Sequence, residues 1–160
     1  MVYMTSRIEL GHGKVARIAD AGDLAELLYP ANRNQQHAFL VLWMALKWAP
    51  DSIVTDLSRV ARENGITRRV YERVRAKMRR LGLVDRISRF NVRYGRREGW
   101  MLSTRFDRSL TQLAEKMPGL RSTAAVARDK DDMLVHLAAA RRTAATQDKG
   151  QEGTHGGEPE

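Results

Sequence analysis

The stretch that most constrains this chain is residues 56–81, DLSRVARENGITRRVYERVRAKMRRL, where two short helical patterns meet across one glycine. Leu57, Val60 and Ala61 recur at i, i+3 and i+4, the apolar face of a helix that stops near Asn64 and Gly65. Gly65 can take the left-handed conformation just past a helix end without a Cβ penalty, and Ile66 then drops into the core. Thr67 is placed to cap a second helix, 67–81, whose inner face is Val70, Tyr71, Val74, Met78 and Leu81. Its outer face is Arg68, Arg69, Glu72, Arg73, Ala76 and Arg79. After Leu81-Gly82-Leu83 come two candidate strands, 84–90 and 99–103, with Ile87, Phe90, Trp100 and Leu102 as apolar contributors. The tip between them, 91–98, holds Gly95 for the turn and Arg93, Arg96 and Arg97 for reach.

Charge is concentrated in the same stretch. The 160-residue chain carries a formal +9, while residues 59–97 alone hold fourteen basic groups against Glu63, Glu72 and Asp85, a net +11. The remainder is slightly acidic, so the basicity belongs to a site and calls for a polyanionic partner. An α-helix fits the DNA major groove, and arginine bonds guanine O6 and N7 together. Base contacts are expected from the start of the second helix: Arg68, Arg69 and Arg73, with Thr67 and Glu72 as secondary readers. Arg75, Lys77, Arg79 and Arg80 lie further along and are expected at phosphate, with a merely solvated helix face as the plain alternative. Like charges crowded on one helix cost stability, and a polyanion relieves that cost.

Ala61 four residues before Gly65, then Ile66 and Thr67, and the closing RRLGLVDR of 79–86 together resemble a winged helix-turn-helix domain. That superfamily includes the MarR-type and PadR-type transcription regulators of bacteria and archaea. The resemblance covers 35–106. It implies a mainly α fold with a small β component: a three-helix core plus a β-hairpin wing that lies along the backbone or puts an arginine into the adjacent minor groove. Where MarR-type wings carry Asp-x-Arg at the tip, this chain reads Arg93-Tyr94-Gly95-Arg96-Arg97-Glu98.

The flanks are read in order. Residues 1–34 form an extension in which the runs 6–10 and 14–18 around Gly11-His12-Gly13 suggest a β-hairpin, and Asp20 caps a short helix ending before Pro30. Residues 35–48 read as a helix with Phe39, Leu42, Trp43 and Leu46 on one face, stopped by Pro50, with Trp43 and Trp48 both assigned to the core. Residues 51–55 are a connector able to pair with the wing. Residues 107–146 carry two further helices. The first, begun by Thr104 or Asp107, has Phe106, Leu110, Leu113 and Met117 on one face and ends at Pro118-Gly119; the second is alanine-rich and capped by Ser122 or Thr123. Residues 147–160 are Gly- and Glu-rich without an aliphatic side chain and are expected to be disordered.

Several function classes are disfavoured. With no cysteine there is no disulfide framework, thiolate metal site or cysteine catalysis, which suits a reducing cytoplasm. His12, His37, His136 and His155 are scattered without metal-ligand spacing, and Gly11-His12-Gly13-Lys14 lacks the rest of a phosphate-binding loop. No enzyme, cofactor or metal is expected, nor a membrane: residues 38–49 are too short to span, and the first residues lack a secretory pattern. The expectation is a sequence-specific binder of double-stranded DNA, a cytoplasmic, nucleoid-associated regulator that dimerises through its C-terminal helices. Its effector, if any, is unspecified. A replication or partition protein of a mobile element, and a winged-helix scaffold for protein or RNA, are the alternatives.

Overall fold

The structure is a computed structural model that describes residues 8, 10–91 and 95–148, with the side chains at 89–91, 96 and 146–148 outside the description. Among these residues the fold is mainly helical, with one two-stranded antiparallel sheet. It divides into two units, 1–111 and 112–160.

In the first unit, α1 (His12–Val15) is a single turn, and α2 (Ala21–Leu28) begins where Asp20 accepts from the backbone N–H of Gly22 and Asp23. α3 (Arg33–Lys47) is capped by Asn32, α4 (Leu57–Glu63) by Asp56, and α5 (Arg68–Leu81) by Thr67. Each cap satisfies an amide that the helix leaves unpaired. Between α4 and α5, Ile66 donates to the Ala61 carbonyl at 2.9 Å and Gly65 holds φ at +69°, so the chain reverses within three residues. The core is built on α3: Phe39, Leu42 and Leu46 meet Leu28, Leu57, Val74, Met78 and Val84.

β1 (Val84–Asn91) and β2 (Gly95–Leu102) pair with Val84 opposite Leu102 and Arg86 opposite Trp100. The extended residue Val54 pairs with Trp100 on the free side of β2 through bonds of 2.8 and 2.9 Å, as the connector reading expected. That approach requires Gly99, where a Cβ would stand 2.7 Å from both Ile53 Cγ2 and the Val54 carbonyl oxygen. α6 (Arg105–Leu120) starts against the end of α5, with the Phe106 amide donating to the Gly82 carbonyl at 3.1 Å. α7 (Ala125–Asp148) follows.

Five expectations are corrected. The hairpin proposed for 6–18 does not form where it is described: the Gly11 carbonyl accepts from Lys14 and Val15 to close a helical turn, and Leu10, Val15 and Ile18 stay exposed rather than forming the buried face a strand needs. Residues 1–7 and 9 lie outside the description. Trp48 is not core but 74% exposed, because it falls off the stripe of Phe39, Leu42, Trp43 and Leu46. The strands are longer than expected, which leaves only 92–94 between them and puts Arg96 and Arg97 in β2. Pro118 does not end α6, which runs to Leu120; Pro118 removes only its own hydrogen bond, and Arg121 again donates to Met117 at 3.1 Å. α7 likewise extends past 146 to Asp148, and the tail beyond it lies outside the described residues.

A candidate nucleic-acid interface on α5 and the β-ribbon

α5 presents two adjacent stripes. Arg68, Glu72, Arg75 and Arg79 follow at i, i+4, i+7 and i+11 and line the clefts toward the ribbon, while Arg69, Arg73 and Arg80 lie one step further round, with Arg80 still reaching the cleft beside Arg79. Of the base readers expected from the sequence, Arg68 and Arg69 are exposed and Arg73 is half-buried. Thr67 is spent on the cap, its Oγ1 accepting from the Val70 amide at 3.4 Å. Glu72 is occupied as well, since the Arg68 guanidinium donates to it at 2.9 Å. Among the expected phosphate contacts, Arg79 and Arg80 are exposed. Arg75 is half-buried, its guanidinium 5.4 Å from the Tyr71 ring centre and 5.3 Å from that of Trp100. It ties the helix to β2.

Lys77 is the clearest departure. It is 7% exposed, donates to the Leu28 carbonyl and sits 4.6 Å from the Tyr29 ring centre. The end of α2 offers an orphan carbonyl and the negative end of a helix dipole, and that holds the ammonium inside. Burial lowers its pKa below the usual lysine range, with Arg80 adding to the effect. Burial likewise raises Tyr29, whose hydroxyl donates to the Val74 carbonyl at 3.2 Å. Both groups serve packing.

On the ribbon, Arg93 lies outside the described residues, and Arg96 stands opposite Phe90 in β2. Arg97 turns back to Asp51 at 3.2 Å, so it is not a free tip charge. The sequence reading did not single out Arg62, Arg86 or Arg105. Strand alternation places Arg86 on the face of Trp100, and only the contact of α6 with Gly82 brings Arg105 to the same cleft.

The bookkeeping of charge is lopsided. Residues 51–105 contain six carboxylates, and each is paired with an arginine: Asp51 with Arg97, Asp56 with Arg62, Glu63 with Arg59, Glu72 with Arg68, Asp85 with Arg105 and Glu98 with Arg86. Among the described arginine side chains of 51–105 this leaves Arg69, Arg73, Arg75, Arg79 and Arg80 without a carboxylate at ion-pair distance, all on α5, and of these Arg75 is stacked on rings instead. Asp85 is held below the usual carboxylate range, first by the Ser103 hydroxyl and then by Arg105. Among the described residues no helix is long and apolar enough to cross a membrane, and no group of three or more histidine or carboxylate side chains is placed to hold a metal ion. No family model, curated protein or solved structure matches the chain.

Proposed function

We propose that this chain is a winged helix-turn-helix protein that binds double-stranded DNA and acts as a dimeric, sequence-specific transcription regulator. α5 enters the major groove, and the ribbon lies along the neighbouring backbone as the wing. The observation that carries the reading is the set of α5 arginines, Arg69, Arg73, Arg79 and Arg80, that meet neither a carboxylate nor a ring, spread over the outward side of the helix next to a ribbon whose described carboxylates are already neutralised. Arg69 and Arg73, near the start of the helix, are the base readers in this reading, because the first turns reach furthest into the groove. Arg68 joins them by exchanging Glu72 for a base or a phosphate. Support for the second copy comes from α6, where Leu110, Leu113 and Leu120 are 39–71% exposed on one stripe. Two subunits would present two α5 helices to half-sites one helical turn apart.

The test is fluorescence anisotropy with a random-sequence duplex across a salt series. If about six to eight phosphates are neutralised, the log–log slope is about −5 to −7; no binding at low salt removes the reading. Selection from a random duplex pool then separates a palindrome, expected for a dimeric regulator, from direct repeats, which an origin-binding protein would prefer.

A further inference from the structure

Arg75 divides the space between α5 and the ribbon. On its far side the second half of α5, the start of β1 and the first turn of α6 line an open concavity of about 550 Å³. That lies within the roughly 300–1,000 Å³ typical of small-molecule sites, but such sites are mostly apolar. This one is lined by five guanidinium groups, from Arg75, Arg79, Arg80, Arg86 and Arg105, and by the single carboxylate of Asp85.

Three of the five already have partners before any ligand arrives. Arg75 is stacked on Tyr71 and Trp100, Arg105 is clamped on Asp85, and Arg86 is tethered to Glu98 at 3.3 Å. Arg79 and Arg80 are exposed at the rim, with no carboxylate at ion-pair distance among the described residues. Held guanidinium forks lose little freedom on binding, and their planar donors match the oxygens of a phosphate in pairs. Five cations against the two carboxylates of Asp85 and Glu98 leave an excess of positive charge, and an anion between them removes the cost of that repulsion.

From this geometry we infer that the concavity is a seat for phosphate groups, with volume for more than one. A polyphosphate-bearing small molecule and the backbone of a duplex offer the same chemistry. The first source is independent of the DNA reading and the second rests on it, so the experiment treats them separately.

The full chain is titrated with inorganic tripolyphosphate by calorimetry at constant ionic strength, with sulfate as the reference anion, and with random duplex by anisotropy. The double variant Arg79→Ala/Arg86→Ala removes two forks of the seat, whereas Arg69→Ala/Arg73→Ala removes equal charge from the other stripe. Circular dichroism melts check that both remain folded. For a free ligand, tripolyphosphate binds about tenfold or more tighter than sulfate, and the first variant loses roughly tenfold or more of that affinity while the second stays within about twofold. For the backbone source, tripolyphosphate gains nothing over sulfate, yet the first variant reduces the duplex salt slope by about two. A chain that binds no duplex still answers through the tripolyphosphate arm. The inference is overturned if neither ligand distinguishes the first variant from the second, because the arginines then act only as diffuse charge.

Discussion

On α5, Tyr71, Val74 and Met78 are 7%, 0% and 1% exposed; on α6, Leu110, Leu113 and Leu120 are 39%, 50% and 71% exposed. The first set recurs at three- and four-residue intervals, as does the second once the half-buried Met117 between Leu113 and Leu120 is counted, and both helices carry charge on the opposite side. α5 finds its cover within the chain, against Leu28, Tyr29 and α3, and its charged side has one carboxylate, Glu72, against its many arginines. α6 keeps an apolar stripe in the open, while its polar side mixes Asp107, Arg108, Glu115 and Lys116. An apolar period therefore announces that a helix needs covering and says nothing of which molecule does it. The two helices have complementary deficits: α5 lacks counter-charge and α6 lacks apolar cover.

The largest expected contrast comes from shaving one side chain from each stripe. Met78→Ala should cost about 2–5 kcal/mol, read from denaturant unfolding, because a fully enclosed side chain leaves a cavity. Leu113→Ala should cost within about 0.5 kcal/mol in dilute monomer. A large loss at Leu113 that grows with protein concentration would break the contrast by showing the stripe covered by a second copy. Leu113→Lys sharpens the same point: it should abolish any concentration dependence of the mass measured by light scattering and leave the melting temperature of the dilute protein nearly unchanged.

The junction between the helices comes next. Gly82 holds φ at +82°, and a Cβ there would stand 2.9 Å from Arg105 Cβ and 3.1 Å from the Phe106 amide nitrogen. Gly82→Ala should therefore cost about 2–4 kcal/mol, from left-handed strain plus overpacking of α6 against α5. Gly65 has the same sign of φ but open space around it, so Gly65→Ala should cost about 1–2 kcal/mol from strain alone. Equal losses at the two positions would mean that α6 does not press on the end of α5.

The smallest expected effect is on acidification. Asp85 joins β1 to α6, and its pKa is lowered from the ordinary 3.8 by the Ser103 hydroxyl and Arg105. A depressed carboxylate contributes stability that is present above the unfolded value and is lost as pH falls through the folded one. The melting temperature should thus drop as pH falls below about 4, and Asp85→Asn should flatten part of that drop while Asp107→Asn, on the open helix, leaves it unchanged. Lys77 acts in the opposite window. Its folded pKa is depressed below 10.5, so the unfolded chain binds the extra proton and stability rises as pH climbs through the folded pKa toward 10.5. The raised pKa of Tyr29 opposes it above about 10, where only the unfolded chain releases its proton.

Much of this was written locally. Asp20, Asn32, Asp56 and Thr67 each sit one residue before a helix and cap it, and Gly65 and Gly82 each close one, because caps and left-handed turns are settled by side chains a few residues apart. The inner face of α5 was legible for the same reason. Lys77 was half legible: it stands three residues after Val74 on that inner stripe, and its charge concealed what its position said. Trp48 erred the other way, its size suggesting burial where its spacing did not.

Long-range pairing was not legible. No sequence pattern announces that Arg97 returns to Asp51, that Arg75 lies across Tyr71 and Trp100, or that Arg86 and Arg105 arrive at one cleft. The sequence by itself determined how much positive charge the chain carries, on which stretch, and where its helices begin and end, since all of these follow from neighbours along the chain. Only the tertiary structure decided which arginines are neutralised and which are left over, because each ion pair depends on which distant carboxylate folding brings within a few ångströms.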